Sequence, residues 1–298
     1  MMKKIELSHN FWKNYDTKLI SDLIEKLWEE NDNDNIILDI DDLVRENDER
    51  MPIMYGIVPY IIEIAVKKET KETKKIWNYL GCWVFNQKQF RSGVNKVVLE
   101  CFDEALKIAE ISLCEFLSKG YKMNESELEN LYTCLFVFAG HDFGRMVVDT
   151  FRDYEEGYAT ARCKNGHLNE FAVFDNGIFC YNENEREKYF PLVSPSELEY
   201  PFEKEQKNNW KVFLPLIENC MQTETSLAIK SHLRITMIVL EQGITDKLPM
   251  RFAFSVCGSL LYCNGCINCA NRFFHAWDKV VCPVCGEEYI FADYWCCC

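Results

Sequence analysis

The chain has 298 residues, and 48% of them are hydrophobic, which is enough for one large domain or two moderate ones with a buried core. Its 33 basic and 47 acidic residues give a formal net charge of −14, so the average surface repels phosphate and anionic lipid and attracts basic partners. Nucleic-acid binding through a broad basic face is therefore disfavoured.

No apolar segment approaches the run of about 18 residues that a membrane span needs, and the N-terminus lacks an apolar stretch of signal-peptide length. We expect a soluble cytoplasmic protein without membrane contact. The sixteen cysteines fit a reducing compartment, because five of them lie between positions 263 and 285 at metal-ligand spacing. Other cysteines lie on apolar helical stretches and are interpreted as small buried hydrophobic residues: Cys82, Cys101, Cys114, Cys134 and Cys220.

The first half of the chain predicts helices arranged in hairpins. Residues 15–30 place leucines at four-residue intervals on one helical face. The Asn- and Asp-rich stretch 31–49 predicts a solvated connection. Two antiparallel helical hairpins follow: 52–66 with 70–86, and 97–119 with 125–139. A further helix is predicted over 143–154.

Signals at the helix ends support this division. Gly120 is the expected stop of one helix, and Asn124 with Glu127 has the spacing of a capping box at the start of the next. His141 and Asp142 resemble the His-Asp pair of metal phosphohydrolases, but such sites need additional His and Asp residues, and the chain has only five histidines. A helix-capping Asp beside a turn His is the favoured interpretation.

The pattern changes at residues 158–181, where glycines punctuate short apolar runs in a way typical of a small β-meander. A polar link follows, and helices resume at 208–221, 225–242 and 246–261. The sequence thus divides into four parts: a helical repeat domain (1–157), a Cys-bearing β-insert with its linker (158–205), a second helical segment (206–261), and a zinc ribbon with its tail (262–298). This order is a loose internal duplication.

The C-terminal cysteines predict a zinc ribbon. Two Cys-x-x-Cys turns, brought together by a hairpin, supply four thiolates at tetrahedral corners: Cys266, Cys269, Cys282 and Cys285. Residues 272–275 are expected as one strand and 280–281 as its return. Gly286 fits the sharp second turn, where backbone N–H groups point at sulfur. Four protein ligands leave no position for water, so we expect one structural Zn²⁺, worth on the order of 10 kcal/mol of folding free energy.

Two alternatives to this ligand set stay open. Cys263 is an alternate ligand, because Cys263 and Cys266 are also separated by two residues. A second zinc site has three candidate ligands: Cys163, His167 and Cys180. Gly166 stands where a second cysteine would complete that turn, so a degenerate ribbon without metal is favoured there. The cysteine cluster 296–298 is expected to be a frayed tail.

Two segments resemble known families. The run 269–273 (Cys-Ala-Asn-Arg-Phe) resembles the start of many bacterial zinc ribbons, which favours Cys269 over Cys263 as a ligand. The helical run 58–65 (Val-Pro-Tyr-Ile-Ile-Glu-Ile-Ala) resembles units of bacterial HEAT-like repeat proteins. A helical array that ends in Cys-Pro-x-Cys-Gly is similar to members found beside toxins. This resemblance covers most of residues 50–290, and it implies a mainly α fold of stacked hairpins in a HEAT-like α-solenoid array and an immunity role.

The leading hypothesis is a non-catalytic acidic scaffold that binds a basic protein partner, such as a toxin. The alternative is a zinc-ribbon protein that contacts nucleic acid in regulation or defence, through a small basic and aromatic patch: Arg272, Lys279, Phe273, Phe274 and Trp277. An enzyme is the least supported class, because no Gly-rich phosphate loop, nucleophile elbow or His-rich metal helix is present.

Overall fold

The computed structural model of the chain describes residues 2–29, 34–46, 52–68, 72–85, 88, 91–150, 157–181, 189–195 and 208–296. The fold is mainly helical with a small antiparallel sheet, which confirms the fold class at that level. In these residues, no helix combines the length and the apolar character that crossing a membrane requires. The chain divides into two compact units, Met1–Lys122 with Val137–Ala139, and Met123–Phe136 with Gly140–Cys298. The finer four-part division stays a prediction.

The first unit is built around one buried helix. Its helices are α1 (Thr17–Glu29), α2 (Asp34–Glu46), α3 (Pro52–Lys68), α4 (Thr73–Val84) and α5 (Lys96–Ser118). Helices α1, α4 and α5 all contact α3, and 12 of the 17 residues of α3 are buried. A helix that is apolar around its whole circumference belongs in a core. The buried Glu63 of α3 is compensated by ion pairs with Lys4 and Lys67.

Gly56 lets the N-terminal 3-10 helix Asn10–Asn14 approach α3 closely. A Cβ atom at this position would stand 2.5 Å from ring carbons of both Phe11 and Trp12, and Trp12 is almost fully buried. We expect Gly56→Ala to lower the free energy of unfolding by about 1–3 kcal/mol, because the two rings must move. Urea unfolding followed by circular dichroism measures this loss. Lys107→Ala, at an exposed position, is the control. A Gly56→Ala variant with the same free energy of unfolding as the wild type would contradict this packing.

The predicted solvated connection at 31–49 is wrong over the part that the structure describes, because α2 is a helix with a buried face. That face consists of Ile36, Ile37, Ile40 and Val44, which follow the helical period. The buried Asp41 accepts a hydrogen bond from Trp83 Nε1 at 2.7 Å, which ties α2 to α4. The Asn- and Asp-rich composition concealed this periodicity.

The second unit contains most of α6 (Glu125–Phe138) and a set of later helices: α7 (Asp142–Thr150), α8 (Leu214–Thr223), α9 (Leu227–Gln242), α10 (Met250–Cys263), α11 (Ile267–His275) and α12 (Phe291–Tyr294). Helices α8, α9 and α10 pack against one another, which confirms the three helices predicted there. Helices α10 and α11 approach closely at Gly258, where a Cβ would stand 2.8 Å from a ring carbon of Phe274.

Several helix ends follow the predicted chemistry. The capping box is confirmed, because the Glu127 N–H donates to Asn124 Oδ1 at 2.9 Å and the Asn124 N–H donates to Glu127 Oε2 at 3.0 Å. At the start of α7, His141 itself is the cap. Its Nδ1 accepts from the Phe143 N–H at 3.0 Å, and its Nε2 lies 2.6 Å from the Leu248 carbonyl. With both ring nitrogens engaged in hydrogen bonds, His141 has a structural role and supplies a cap at the start of α7.

The strands form two small antiparallel sheets in the second unit: β1 (Gly157–Arg162), β2 (Leu168–Phe174), β3 (Gly177–Cys180), β4 (Lys279–Val281), β5 (Glu288–Ile290) and β6 (Trp295–Cys296). The predicted meander is confirmed, and the four-stranded sheet has the order β3-β2-β1-β6. The C-terminal strand pairs with β1, with Ala161 opposite Trp295. The expected fraying is therefore wrong for Cys296, whereas Cys297 and Cys298 lie outside the described residues.

The predicted strand at 272–275 is also wrong, because these residues belong to α11. The residues Cys269, Ala270, Phe273 and Phe274 are all buried, and their spacing is that of one helical face. The hairpin that follows is formed by β4 and β5, with Val280 opposite Tyr289.

Candidate metal centre

The first half of the site is the loop between β1 and β2. Cys163 directly follows β1, and His167 directly precedes β2. The Cys163 N–H donates to the His167 carbonyl at 2.9 Å, and the Gly166 N–H donates to the Cys163 carbonyl at 2.8 Å. Gly166 has a φ of +85°, a left-handed conformation that glycine adopts without a Cβ clash. This tight turn brings the Cys163 and His167 side chains together.

The second half is the loop between β4 and β5, and its hydrogen bonds are similar. The Cys282 N–H donates to the Glu287 carbonyl at 2.9 Å, and the Gly286 N–H donates to the Cys282 carbonyl at 2.8 Å. Gly286 has a φ of +72°, which agrees with the sharp turn expected after Cys285. Two tight loops therefore each present a pair of potential metal ligands.

The two loops meet in one Cys3His group: Cys163, His167, Cys282 and Cys285. Their donor atoms all lie within 4.8 Å of one another. Cys163 Sγ is 3.4 Å from His167 Nδ1 and 3.8 Å from Cys285 Sγ. Cys282 Sγ is 3.8 Å from His167 Nδ1. This group could hold a metal ion, because three sulfurs and one imidazole nitrogen converge on a common point.

Amide side chains surround the sulfur atoms. Asn169 Nδ2 lies 3.5 Å from Cys282 Sγ and 3.1 Å from the Tyr289 hydroxyl oxygen. Asn165 Nδ2 lies 3.4 Å from Cys285 Sγ. Donors of this kind orient thiolate ligands and reduce their negative charge. Cys163, Cys282 and Asn169 are buried, His167 is half-buried and Cys285 is exposed, so the group opens to solvent on the Cys285 side.

The electrostatic environment distinguishes the sulfurs. Burial alone would raise the pKa of Cys282, but hydrogen bonds from the Cys285 and Val284 N–H groups and from Asn169 outweigh it and lower that pKa to about 6. Burial and the neighbouring thiols raise the pKa of Cys163, although backbone hydrogen bonds oppose this change. At neutral pH the side chain of Cys282 is therefore mainly a thiolate, which is the form that binds metal.

The structure corrects half of the predicted ligand set, because Cys266 and Cys269 are not part of this group. Both lie at the start of α11, where Cys269 faces α6. The Cys269 N–H donates to Glu125 Oε1 at 2.9 Å, and Cys269 Sγ donates to Glu129 Oε2 at 2.9 Å. Burial and the Glu129 carboxylate raise the pKa of Cys269 above its ordinary value, although Arg272 opposes them. This cysteine is a protonated packing residue.

The alternative ligands also lie in places other than those predicted. Cys163 and His167, which were assigned to a degenerate second site, join Cys282 and Cys285 in a single group. Cys180 ends β3 and does not belong to the group, and Cys263 lies beside Cys220 instead. Among the described residues this is the one such cluster of His, Cys, Asp or Glu. The pairing of the Cys163 and His167 turn with the Cys282 turn was missed, because no local spacing in the sequence predicts it.

Two further histidines are buried away from this group. His232 Nδ1 lies 2.9 Å from Ser255 Oγ, and its ring stacks on Phe274. Burial lowers the pKa of His232 to about 3, so the ring is neutral. His275 Nδ1 lies 2.6 Å from Asp278 Oδ2. The His232 contact joins α9 to α10, whereas the His275 contact is local to the end of α11. Both histidines thus have partners away from the metal group.

The aromatic patch of the nucleic-acid hypothesis is not on the surface. Phe273, Phe274 and Trp277 are all buried. Arg272 donates to Glu129 Oε2 at 3.1 Å, with only about a sixth of its side chain exposed, 17%. Bases cannot stack on buried rings, so this hypothesis loses the observation on which it rested.

Comparisons with known proteins identify no relative: no protein-family model, no curated protein and no solved structure matches this chain.

Proposed function

We propose that the Cys3His group binds one Zn²⁺ and that this zinc is structural. Zinc bonds of about 2.3 Å to sulfur and about 2.0 Å to nitrogen place tetrahedral ligands about 3.8 Å apart for two sulfurs and about 3.5 Å apart for sulfur and nitrogen. The sulfurs of Cys163 and Cys285 are 3.8 Å apart, and Cys163 Sγ is 3.4 Å from His167 Nδ1. This agreement is the observation that carries the proposal.

The structural role of the zinc follows from the positions of its ligands in the chain. Cys163 and Cys285 are 122 positions apart in sequence, and they belong to two different hairpin loops. A shared metal ion cross-links these loops and stabilises the small sheets of the second unit, which have few residues with which to form a core. Four protein ligands leave no open coordination position. We therefore assign a structural role to the ion, and a non-catalytic role for the chain stays a proposal.

Metal analysis of the purified full-length protein tests this proposal. We expect one zinc equivalent per chain. Replacement of the zinc by Co²⁺ should give the intense visible absorption of a tetrahedral thiolate site, because that geometry and ligand set determine the spectrum. Protein that refolds fully without metal, or a Co²⁺ spectrum typical of six oxygen ligands, would overturn the proposal.

For the whole chain, we propose an acidic scaffold that binds a basic protein, and the resemblance to HEAT-like immunity proteins points to a toxin as the partner class. The net charge of −14 supports this proposal. Part of that charge lies on α1, where Asp22, Glu25 and Glu29 share one exposed face with a single basic residue, Lys18. Complementary charge accelerates association and selects partners of opposite sign.

A charge-reversal series tests the partner proposal. Tagged protein is used to recover a partner, and its affinity is then measured at low and high salt. We expect a basic partner whose dissociation constant rises roughly tenfold with salt, and a further loss for the triple variant Asp22→Lys, Glu25→Lys and Glu29→Lys. The triple variant Glu218→Lys, Glu241→Lys and Asp246→Lys, at three exposed positions of the second unit, is the control because it changes the net charge by the same amount. An acidic partner, or binding that salt does not change, would contradict the proposal.

A further inference from the structure

A second pair of cysteines comes together away from the metal group, in the second unit. Cys220 lies on α8, and Cys263 is the last residue of α10. The two helices pack against each other, and the thiol groups of the two cysteines are hydrogen-bonded. Both thiols are free and half-buried, so a small oxidant can reach them.

The surrounding contacts hold this pair in place. The Tyr262 hydroxyl donates to Glu224 Oε2. Glu224 is the residue that follows α8, and its Oε1 accepts the N–H groups of Thr225 and Ser226, each at 2.7 Å. Tyr262, the residue before Cys263, is thus bound to Glu224, the residue that follows the helix of Cys220. A fixed position of the two chain segments reduces the ordering that formation of a bond between them requires.

We propose that Cys220 and Cys263 form a reversible disulfide that cross-links α8 to α10. Hydrogen peroxide is a sufficient oxidant. It converts one thiol to a sulfenic acid with release of one water, and the second thiol then displaces a second water as the S–S bond forms. Two thiols lose two protons and two electrons, and a dithiol reductant reverses the step.

Burial first, and the hydrogen bond to Cys220 second, raise the pKa of Cys263 above that of a free thiol. The cross-link forms by the same two steps whichever of the two thiols is oxidised first, because the other thiol then displaces the water.

Peptide mapping of the full-length protein tests this inference. The protein is treated with hydrogen peroxide, free thiols are alkylated, and the tryptic peptides are analysed by tandem mass spectrometry. Cys220 lies on peptide 212–230 and Cys263 on peptide 252–272. We expect these peptides to be joined through Cys220 and Cys263 in most of the molecules, and to separate after treatment with dithiothreitol. Neither peptide carries a proposed zinc ligand, so the result does not depend on the metal.

Variants and alternative pairings complete the test. Cys220→Ser and Cys263→Ser should each abolish the joined peptide, whereas Cys82→Ser, a half-buried cysteine of the first unit, should leave it unchanged. The melting temperature of wild-type protein should rise on oxidation, because the cross-link restricts the unfolded chain. A bond between Cys263 and the nearby Cys266, or oxidation of Cys220 to higher acids without a cross-link, would overturn the inference. If a variant fails to fold, the peptide mapping of the wild-type protein decides the test on its own.

Discussion

Replacing Cys282 with serine is expected to remove the bound metal, whereas replacing Cys269 with serine is expected to leave it in place. The two side chains are equally buried, each with 1% of its surface exposed, so the loss of a buried thiol is matched between them. They differ in their surroundings, because Cys282 lies in the Cys3His group and Cys269 contacts Glu129. A serine hydroxyl remains neutral and cannot replace a thiolate as a zinc ligand.

The measurement combines metal content with thermal unfolding. We expect one zinc equivalent in wild-type protein and in Cys269→Ser, and none in Cys282→Ser. The melting temperature of Cys282→Ser should fall by about 10 °C or more, because structural zinc contributes on the order of 10 kcal/mol to folding. Addition of a strong chelator should lower the wild-type melting temperature to that of Cys282→Ser. The chelator should not change the melting temperature of Cys282→Ser itself. Metal loss from both Cys269→Ser and Cys282→Ser would instead support the four-cysteine ribbon.

The contrast between these two cysteines shows what the sequence could and could not predict. Cys282 and Cys285 were predictable because their turn is local, and the residues between them and Gly286 specify its shape. Their partners were not, because the pairing of two loops 122 positions apart depends on the sheet that joins β6 to β1. That pairing is a long-range property that no spacing rule contains.

The assignment of Cys266 and Cys269 failed for a different reason, since the signal was present. Cys269, Ala270, Phe273 and Phe274 follow the helical period, and this pattern predicts a buried helical face. The two-residue spacing of the cysteines favours metal ligands, whereas the periodicity of the apolar residues favours a buried helical face. The same competition occurred in α2, where the Asn- and Asp-rich composition outweighed the spacing of Ile36, Ile40 and Val44. In both places the apolar period predicted the structure correctly.

The helices of the second half and the meander were predicted well, because their signals are local. Gly243 has a φ of +103° and ends α9, and the capping box before α6 formed as expected. The sequence did not reveal that α11 is anchored by acidic residues of α6. That contact joins segments about 140 positions apart, and it makes Glu129 a strong test of the second unit.

Replacing Glu129 with alanine is expected to lower the free energy of unfolding by about 3 kcal/mol, because it leaves the largely buried Arg272 without its closest carboxylate. The side chains of Glu129 and Arg272 are only 14% and 17% exposed, and Glu129 Oε2 lies 3.1 Å from Arg272 Nη2. The same oxygen accepts the Cys269 thiol at 2.9 Å. Glu129→Gln keeps an acceptor at this position but removes the charge, so a smaller loss of about 1–2 kcal/mol is expected.

Urea unfolding of a short series of variants measures these losses. The double variant Glu129→Ala with Arg272→Met should be more stable than Glu129→Ala alone, since it removes the uncompensated charge as well as its partner. The exposed Glu218→Ala is the control, and it should change stability by less than about 0.5 kcal/mol. Every variant in the series should retain one zinc equivalent, because Glu129 and Arg272 do not belong to the Cys3His group. If Glu129→Ala lost its zinc, α6, α11 and the metal loops would form a single cooperative site. If the variant retained zinc, the packing role of Cys269 would be separate from the ligand role of Cys282.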